Sequence, residues 1–228
     1  MNHKINLYGA GGHAKVVKEI VEACGGMVGC LYDDAPACGS LHGAPVVRAA
    51  DAVIAGRLII SIGANRVRRL IAGRHHQLSY ARAIHPQAIV SPSATVGEGS
   101  VVVHGAIIQA DARIGRHSIV NTGASVGHEC VVADFVHIAP HATLCGNVSV
   151  GEGAWVGAGA TVIPGRKIGP WAVVGAGATV VTDIPAGAVA VGTPARVVKY
   201  TDGYNRLEDS ILAGGGKQLT SRHVAYAA

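Results

Sequence analysis

The chain has 228 residues, a formal net charge of +5 and only 4% aromatic residues, with a single Phe. That length holds one large or two modest domains, and so few rings exclude a wide aromatic core. No apolar run approaches a membrane span, the five Cys (24, 30, 38, 130, 145) form no paired metal spacing, and the basic residues lack the interleaved aromatics of a nucleic-acid surface.

Lys4 to Tyr8 reads as a short strand, followed by the turn Gly9-Ala-Gly-Gly-His13 and a helix over Ala14 to Ala23. Val28 to Tyr32 is a second strand ending in Asp33-Asp34, and Arg57 to Ile62 a third that meets Gly63 and a helix from Asn65 to about Gln77. Strand, Gly turn and helix, repeated, predict a small parallel α/β unit, Rossmann-like, over residues 1–82. Such sheets bind ligands beyond the carboxyl ends of their strands. Gly9, Gly11, Gly12, His13, Lys15, Asp33, Asp34, Gly63 and Asn65 converge there in this reading, with Arg68 in the basic cluster that follows. The turn resembles a dinucleotide fingerprint but has Ala14 where the third Gly belongs. About eighty residues also hold only three or four of the strands that a full dinucleotide domain needs. What remains is phosphate held on bare amides at a helix N-terminus, with a carboxylate about twenty residues on reading the nucleoside. The alternative is that Gly9, Gly11 and Gly12 only permit a sharp turn. Arg66, Arg68, Arg69, Arg74 and His75-His76, together with Arg196 and Lys199, suit a phosphorylated small molecule or a solvated face.

From Ile84 to Val180 every sixth residue is Ile, Val or Leu, seventeen times without a miss. At a background of roughly 30% for these residues, chance gives this about once in a billion registers. Period six is neither helical (3.6) nor that of a flat strand (2), and marks a hexapeptide β-helix. Four positions after each apolar residue a small one recurs, as in Ala106, Ala112, Ser118, Ala124 and Cys130. Large and small side chains then share the axis of a narrow prism. Gly directly after the apolar residue (Gly97, Gly115, Gly127, Gly151, Gly157, Gly169, Gly175) reads as a tight corner with backbone angles that only Gly adopts cheaply. Three hexads close one triangular coil, and at about 4.8 Å per coil the stack is roughly 25 Å tall. The solenoid spans 83–200. The tail, 201–228, has a Gly214-Gly-Gly216 break and a short helix near Asn205 to Leu212, and carries no chemistry. The first twelve residues lack a hydrophobic signal segment and an odd Cys is left over, so the expectation is a soluble cytoplasmic protein.

Three segments carry a resemblance to one group: Gly9-Ala-Gly-Gly-His-Ala-Lys15, Asn121-Thr-Gly-Ala-Ser-Val-Gly-His-Glu-Cys130 and Val191-Gly-Thr-Pro-Ala-Arg196. Together they resemble the bacterial nucleotide-sugar acetyltransferases of glycan biosynthesis, hexapeptide-repeat enzymes related to sialic acid O-acetyltransferases. The resemblance implies a left-handed β-helix, against the right-handed crossover rule. It implies acetyl-CoA as co-substrate and no metal. His128 would be general base, oriented by Glu129, and a backbone N–H at Gly146 would hold the oxyanion, with His137 close to the thioester. Gly157, Ala158, Gly175 and Ala176 would line the pantetheine groove, Arg196 and Lys199 would meet the coenzyme phosphates, and Asn121 would face the acceptor. The chemistry suits these types. An attacking amine or hydroxyl must shed a proton, imidazole titrates near neutrality, and a thioester needs no acyl-enzyme.

His128 and His137 lie nine residues apart, half of an 18-residue coil, and so project from different sides of one prism. They serve one site only across two prisms, which predicts a homotrimer with sites between subunits. Trp155 and Trp171 stand at outward positions that a partner or coenzyme could cover. The expected acceptor is the amino group of a nucleotide-linked 4-amino-deoxy sugar, with sugar O-acetylation as the alternative. Two further readings differ in class. His104, His137 and His141 come near the zinc ligation of γ-class carbonic anhydrases, and the hexads alone also suit a non-catalytic solenoid.

Overall fold

The computed structural model describes residues 4–201, so the tail helix expected near Asn205 lies outside the described residues. The front unit runs β1 (Lys4–Tyr8), α1 (Gly12–Ala23), β2 (Met27–Asp33), β3 (Ser40–Leu41), β4 (Ala44–Arg48), β5 (Arg57–Ile60) and α2 (Asn65–Arg74). Its sheet order is β3-β4-β2-β1-β5, parallel except for β3. The β3–β4 hairpin escapes the sequence pattern, because Gly43 and Pro45 leave too few alternating residues to show a period. α1 buries Ala14, Val17, Ile20 and Val21, a helical stripe at i, i+3, i+6 and i+7, against one side of the sheet. Ile71 and Ala72 of α2 close the other side on Tyr8, Leu58 and Ile60.

From Ala83 onward the chain is a left-handed parallel β-helix. Two-residue strands pair with the strand 18 residues on, as in Ile107 with Ser125 and Ser125 with Thr143. They stack into a six-stranded face from Ile89–Val90 to Thr179–Val180 and a five-stranded face from Thr95–Val96 to Lys167–Ile168. The third, eight-stranded face begins at Ala83–Ile84 and ends in the antiparallel hairpin of Ala188–Val191 with Arg196–Tyr200. The axis is filled by the sixth-residue series and its small companions, which form one buried cluster from Val96 to Ala195.

The corner glycines need a different explanation from the one their spacing suggests. The left-handed angle falls two residues later, at Gly99, Gly123 and Gly153, and also at Glu129, Asn147 and Trp171. Glycine directly after the apolar residue is required by the coil above. A Cβ on Gly97 would stand 2.6 Å from the Gly115 carbonyl carbon, and one on Gly157 2.6 Å from the Ala176 nitrogen. Backbone stacks on backbone there, and no side chain fits between.

The front unit sits on the eight-stranded face. Val101, Val103 and Ile119 point outward from the prism yet are almost fully buried, because they complete the core beneath α1. Each such side chain is worth roughly 1.5–3 kcal/mol of burial.

Candidate active site

The edge between the six- and five-stranded faces carries Gly127-His128-Glu129 in one coil and Cys145-Gly146-Asn147 in the next. His128 Nδ1 lies 3.1 Å from Glu129 Oε2, and both side chains are more than half exposed, at 60% and 65%. With Nδ1 donating to the carboxylate, Nε2 keeps its lone pair. The ring lies over Gly146, where an added Cβ would be 2.5 Å from Cε1 and still nearer Nε2. Among the described residues the Gly146 N–H has no hydrogen-bond partner, while the neighbouring Asn147 N–H is bound to the His128 carbonyl at 2.8 Å. An imidazole, a carboxylate within hydrogen-bond distance of it and an unspent amide thus meet at one edge.

His137 lies on the opposite, eight-stranded face and is 5% exposed. It therefore shares no corner with His128, as the half-coil spacing predicts. Its Nε2 faces the Asn121 amide nitrogen at 3.0 Å, its Nδ1 turns toward the Gly63 carbonyl at 3.4 Å, and its ring packs on Trp155 with centroids 4.1 Å apart. Burial, then the Arg68 cation and His13, hold His137 well below the usual histidine range. His13 is pushed down to about 4 by burial and Arg68, and its buried Nε2 has no partner among the described residues. The structure thus sets His137 beside Gly63, His13 and Asn121, in the junction between the two units.

Arg68 and Asn65 behave differently from ligands for a phosphate. Arg68 is 1% exposed and donates to the carbonyls of Ile62, Gly63, His117 and Phe135 and to Asn65 Oδ1, at 2.7–3.0 Å. Asn65 donates to the carbonyls of Gly153 and Ala154. Both fasten the front unit to the prism. Their basic and polar character drew the sequence reading toward phosphate, whereas the partners are backbone carbonyls that no spacing reveals. Trp171 is likewise covered by its own chain, beneath the guanidinium groups of Arg66 and Arg69.

At the carboxyl ends of β1, β2 and β5 the expected loops do converge. Gly9 has φ +108°, and a Cβ there would strike Ile62 and Ser61, so packing alone demands glycine. Gly11 and Gly12 differ, since a Cβ on either meets nothing within 4 Å. Open space lies above the α1 N-terminus, which has neither a side-chain cap nor an acidic residue in its first turn. Asp33 accepts the N–H groups of Ala10 and Ala35, bracing the loop. Asp34, exposed like Lys15, accepts the Tyr8 hydroxyl at 2.6 Å. Tyr8 and Ser61, whose hydroxyl binds the Gly9 carbonyl, shape this loop without any signal in the sequence pattern.

Gly157, Ala158, Gly175 and Ala176 stack on the edge between the eight- and six-stranded faces. Ala158 and Ala176 are exposed, whereas Gly157 is buried beneath the next coil, so the two alanines form the open part of the row. Val191 covers Gly175, and Arg196 pairs with Val191, which brings Arg196 to the head of the row, while Lys199 pairs with Val189, back along the eight-stranded face.

Known proteins share this arrangement. The family described as PglD N-terminal domain matches residues 4–75, and bacterial transferase hexapeptide (six repeats) matches 147–182. A search of curated protein sequences gives no match. Among solved structures, PerB from Caulobacter crescentus, in complex with CoA and GDP-perosamine, is 42% identical with a TM-score of 0.80, over 86% of this chain and 97% of that one. The acetyltransferase domain of PglB from Neisseria gonorrhoeae FA1090, in complex with acetyl coenzyme A, is 38% identical with a TM-score of 0.81, over 87% and 100%. WeeI from Acinetobacter baumannii AYE is 27% identical with a TM-score of 0.79, over 85% and 99%. A front unit of the PglD type on a hexapeptide prism, 42% identical to such an enzyme across nearly its full length, makes this chain a member of the hexapeptide-repeat nucleotide-sugar acetyltransferases.

Proposed function

We propose that the protein transfers the acetyl group of acetyl-CoA directly to the amino group of a nucleotide-linked 4-amino-deoxy sugar, with His128 as general base. The observation that carries this reading is the His128 ring lying over Gly146, with Glu129 behind it and an amide that nothing else uses. In the reaction the amine nitrogen attacks the thioester carbon while Nε2 of His128 takes its proton. The oxyanion settles on the Gly146 N–H, the C–S bond breaks, and the imidazolium returns the proton to the departing thiolate. Glu129 fixes the tautomer and steadies the imidazolium.

The sugar nucleotide would lie with its diphosphate over Gly11 and Gly12 at the start of α1 and its nucleoside toward Asp34 and Lys15. Pantetheine would run along Ala158 and Ala176 toward Arg196 and Lys199. His128 and that row occupy different edges of one prism, so two subunits complete each site, and a three-fold trimer supplies three. His137 is almost fully buried against Asn121, Gly63 and Trp155 in the junction of the two units and takes no part in the proposed step. GDP-perosamine, bound by the Caulobacter relative, recommends a GDP-linked 4-amino sugar as the first acceptor to try. The test measures CoA release from acetyl-CoA with that sugar nucleotide, for the wild type and for His128→Ala. A His128→Ala variant retaining full kcat would remove the base from the mechanism.

A further inference from the structure

Three side chains break the apolar lining of the prism in the same way. Ser100 Oγ donates to the carbonyl 15 residues on, Gly115, at 2.7 Å, and accepts the N–H 18 residues on, Ser118, at 2.9 Å. Ser118 repeats this with Ala133 at 2.9 Å and Val136 at 3.1 Å. Cys130, fully buried, donates its thiol to the Cys145 carbonyl at 3.0 Å, with the Val148 N–H facing the sulfur. In each case the two partners are the first and fourth residues of a corner turn in the coil above.

Most turns above an apolar residue close directly, although among the described residues Gly127–Cys130 above Ala112 and Ile163–Arg166 above Val148 do not. Ala142 N–H reaches the Ala139 carbonyl at 3.1 Å, Ala154 reaches Gly151 at 3.2 Å, and Ala160 reaches Gly157 at 3.1 Å. Among the described residues no such bond joins Val148 N–H to the Cys145 carbonyl. A sulfur atom occupies the gap instead, as a bridging water would. The turn it holds open is Cys145-Gly146-Asn147-Val148, whose Gly146 lies under the His128 ring.

We infer that Cys130 is a positioning residue for the acetyl transfer: its thiol, inserted into the Gly146 turn, sets the direction of the Gly146 N–H relative to the His128 ring. This rests on the reading of Gly146 as oxyanion donor and His128 as base. Removing the thiol lets Val148 N–H close on Cys145, as the turns above Ala124 and Ala142 do, and the corner contracts. Alanine stands at the same hexad position in Ala124, Ala142 and Ala160, so Cys130→Ala keeps the prism's own packing. Serine makes the same pair of bonds at positions 100 and 118, so Cys130→Ser keeps the turn open.

The experiment measures kcat and both KM values by CoA release for wild type, Cys130→Ala, Cys130→Ser and His128→Ala, alongside the Gly146 amide resonance in [15N]glycine-labelled protein. The expected result is a kcat about tenfold lower in Cys130→Ala, with both KM values within about twofold and Cys130→Ser within about threefold of wild type. The Gly146 resonance moves in the alanine variant and holds in the serine variant. Wild-type kcat in Cys130→Ala, equal losses in both variants, or an unmoved resonance overturns the inference. An active His128→Ala overturns the reading beneath it, and that variant leaves the Gly146 resonance as an independent measure of the thiol's effect on the turn.

Discussion

Replacing Gly146 by alanine tests the proposed catalytic edge most directly. The added methyl would stand 2.5 Å from His128 Cε1, and ordinary contact begins near 3.4 Å, so the ring must retreat by about 1 Å (3.4 − 2.5 = 0.9). It has room to do so, because the His128 side chain is 60% exposed. Gly146 does not use the left-handed angle, so its backbone accepts alanine. Stability should change by less than about 0.5 kcal/mol, as for other open surface positions. Catalysis should not be spared. A misplacement of about 1 Å in a reacting group costs up to roughly a hundredfold, or about 2.7 kcal/mol of barrier. The expected outcome is kcat lower by about a hundredfold with KM for acetyl-CoA nearly unchanged, read by CoA release beside a urea unfolding curve. A Gly146→Ala enzyme that unfolds like wild type and keeps kcat within twofold would refute the stacked arrangement of base and amide.

Gly157→Ala should show the opposite profile, since its Cβ would press on the backbone of the next coil; a loss of about 1–3 kcal/mol in urea unfolding is expected. Arg68→Ala strands several carbonyls at the junction of the two units, and a loss of about 3 kcal/mol or more should appear in the same assay, with Arg68→Lys recovering only part. His117 is 2% exposed, stacked on Phe135 and edge-on to Tyr80, and pushed down to about 4 by burial, then by Arg116 and Arg68. The unfolded chain binds a proton near pH 6.5 that the folded chain refuses until about pH 4, so stability is complete above 6.5 and falls as pH drops through that window, by on the order of 3 kcal/mol. His117→Phe, placed at a corner position that Phe135 already fills one coil above, should flatten the fall. Melting curves from pH 8 to pH 5 that stay parallel for the two proteins would contradict this.

The prism was legible because its axis admits one large side chain per six residues, and Ile84 to Val180 state that repeat without interruption. The half-coil separation of His128 and His137 followed from the same arithmetic, and the structure places them on an edge and its opposite face. What stayed hidden depends on atoms that carry no residue signature. Arg68 and Asn65 bind backbone carbonyls, and a carbonyl looks alike at every position of a sequence. Gly97 and Gly157 owe their identity to coil-on-coil contact, which is visible only once the stack is built. The signal for Cys130 was present, as a polar atom at a position held mostly by alanine or valine and twice by serine, at Ser100 and Ser118. Its meaning required knowing which turn lies overhead.

The prism divides its labour unusually cleanly between inside and edge. One aliphatic residue and one small companion in each hexad hold the column together, and the corner residues next to them project to solvent at increments of about 4.8 Å. Each edge is therefore a ruler whose marks can be rewritten singly. A new acceptor or a longer acyl donor can be accommodated by changing one mark, while the measuring rod beneath keeps its length and its straightness.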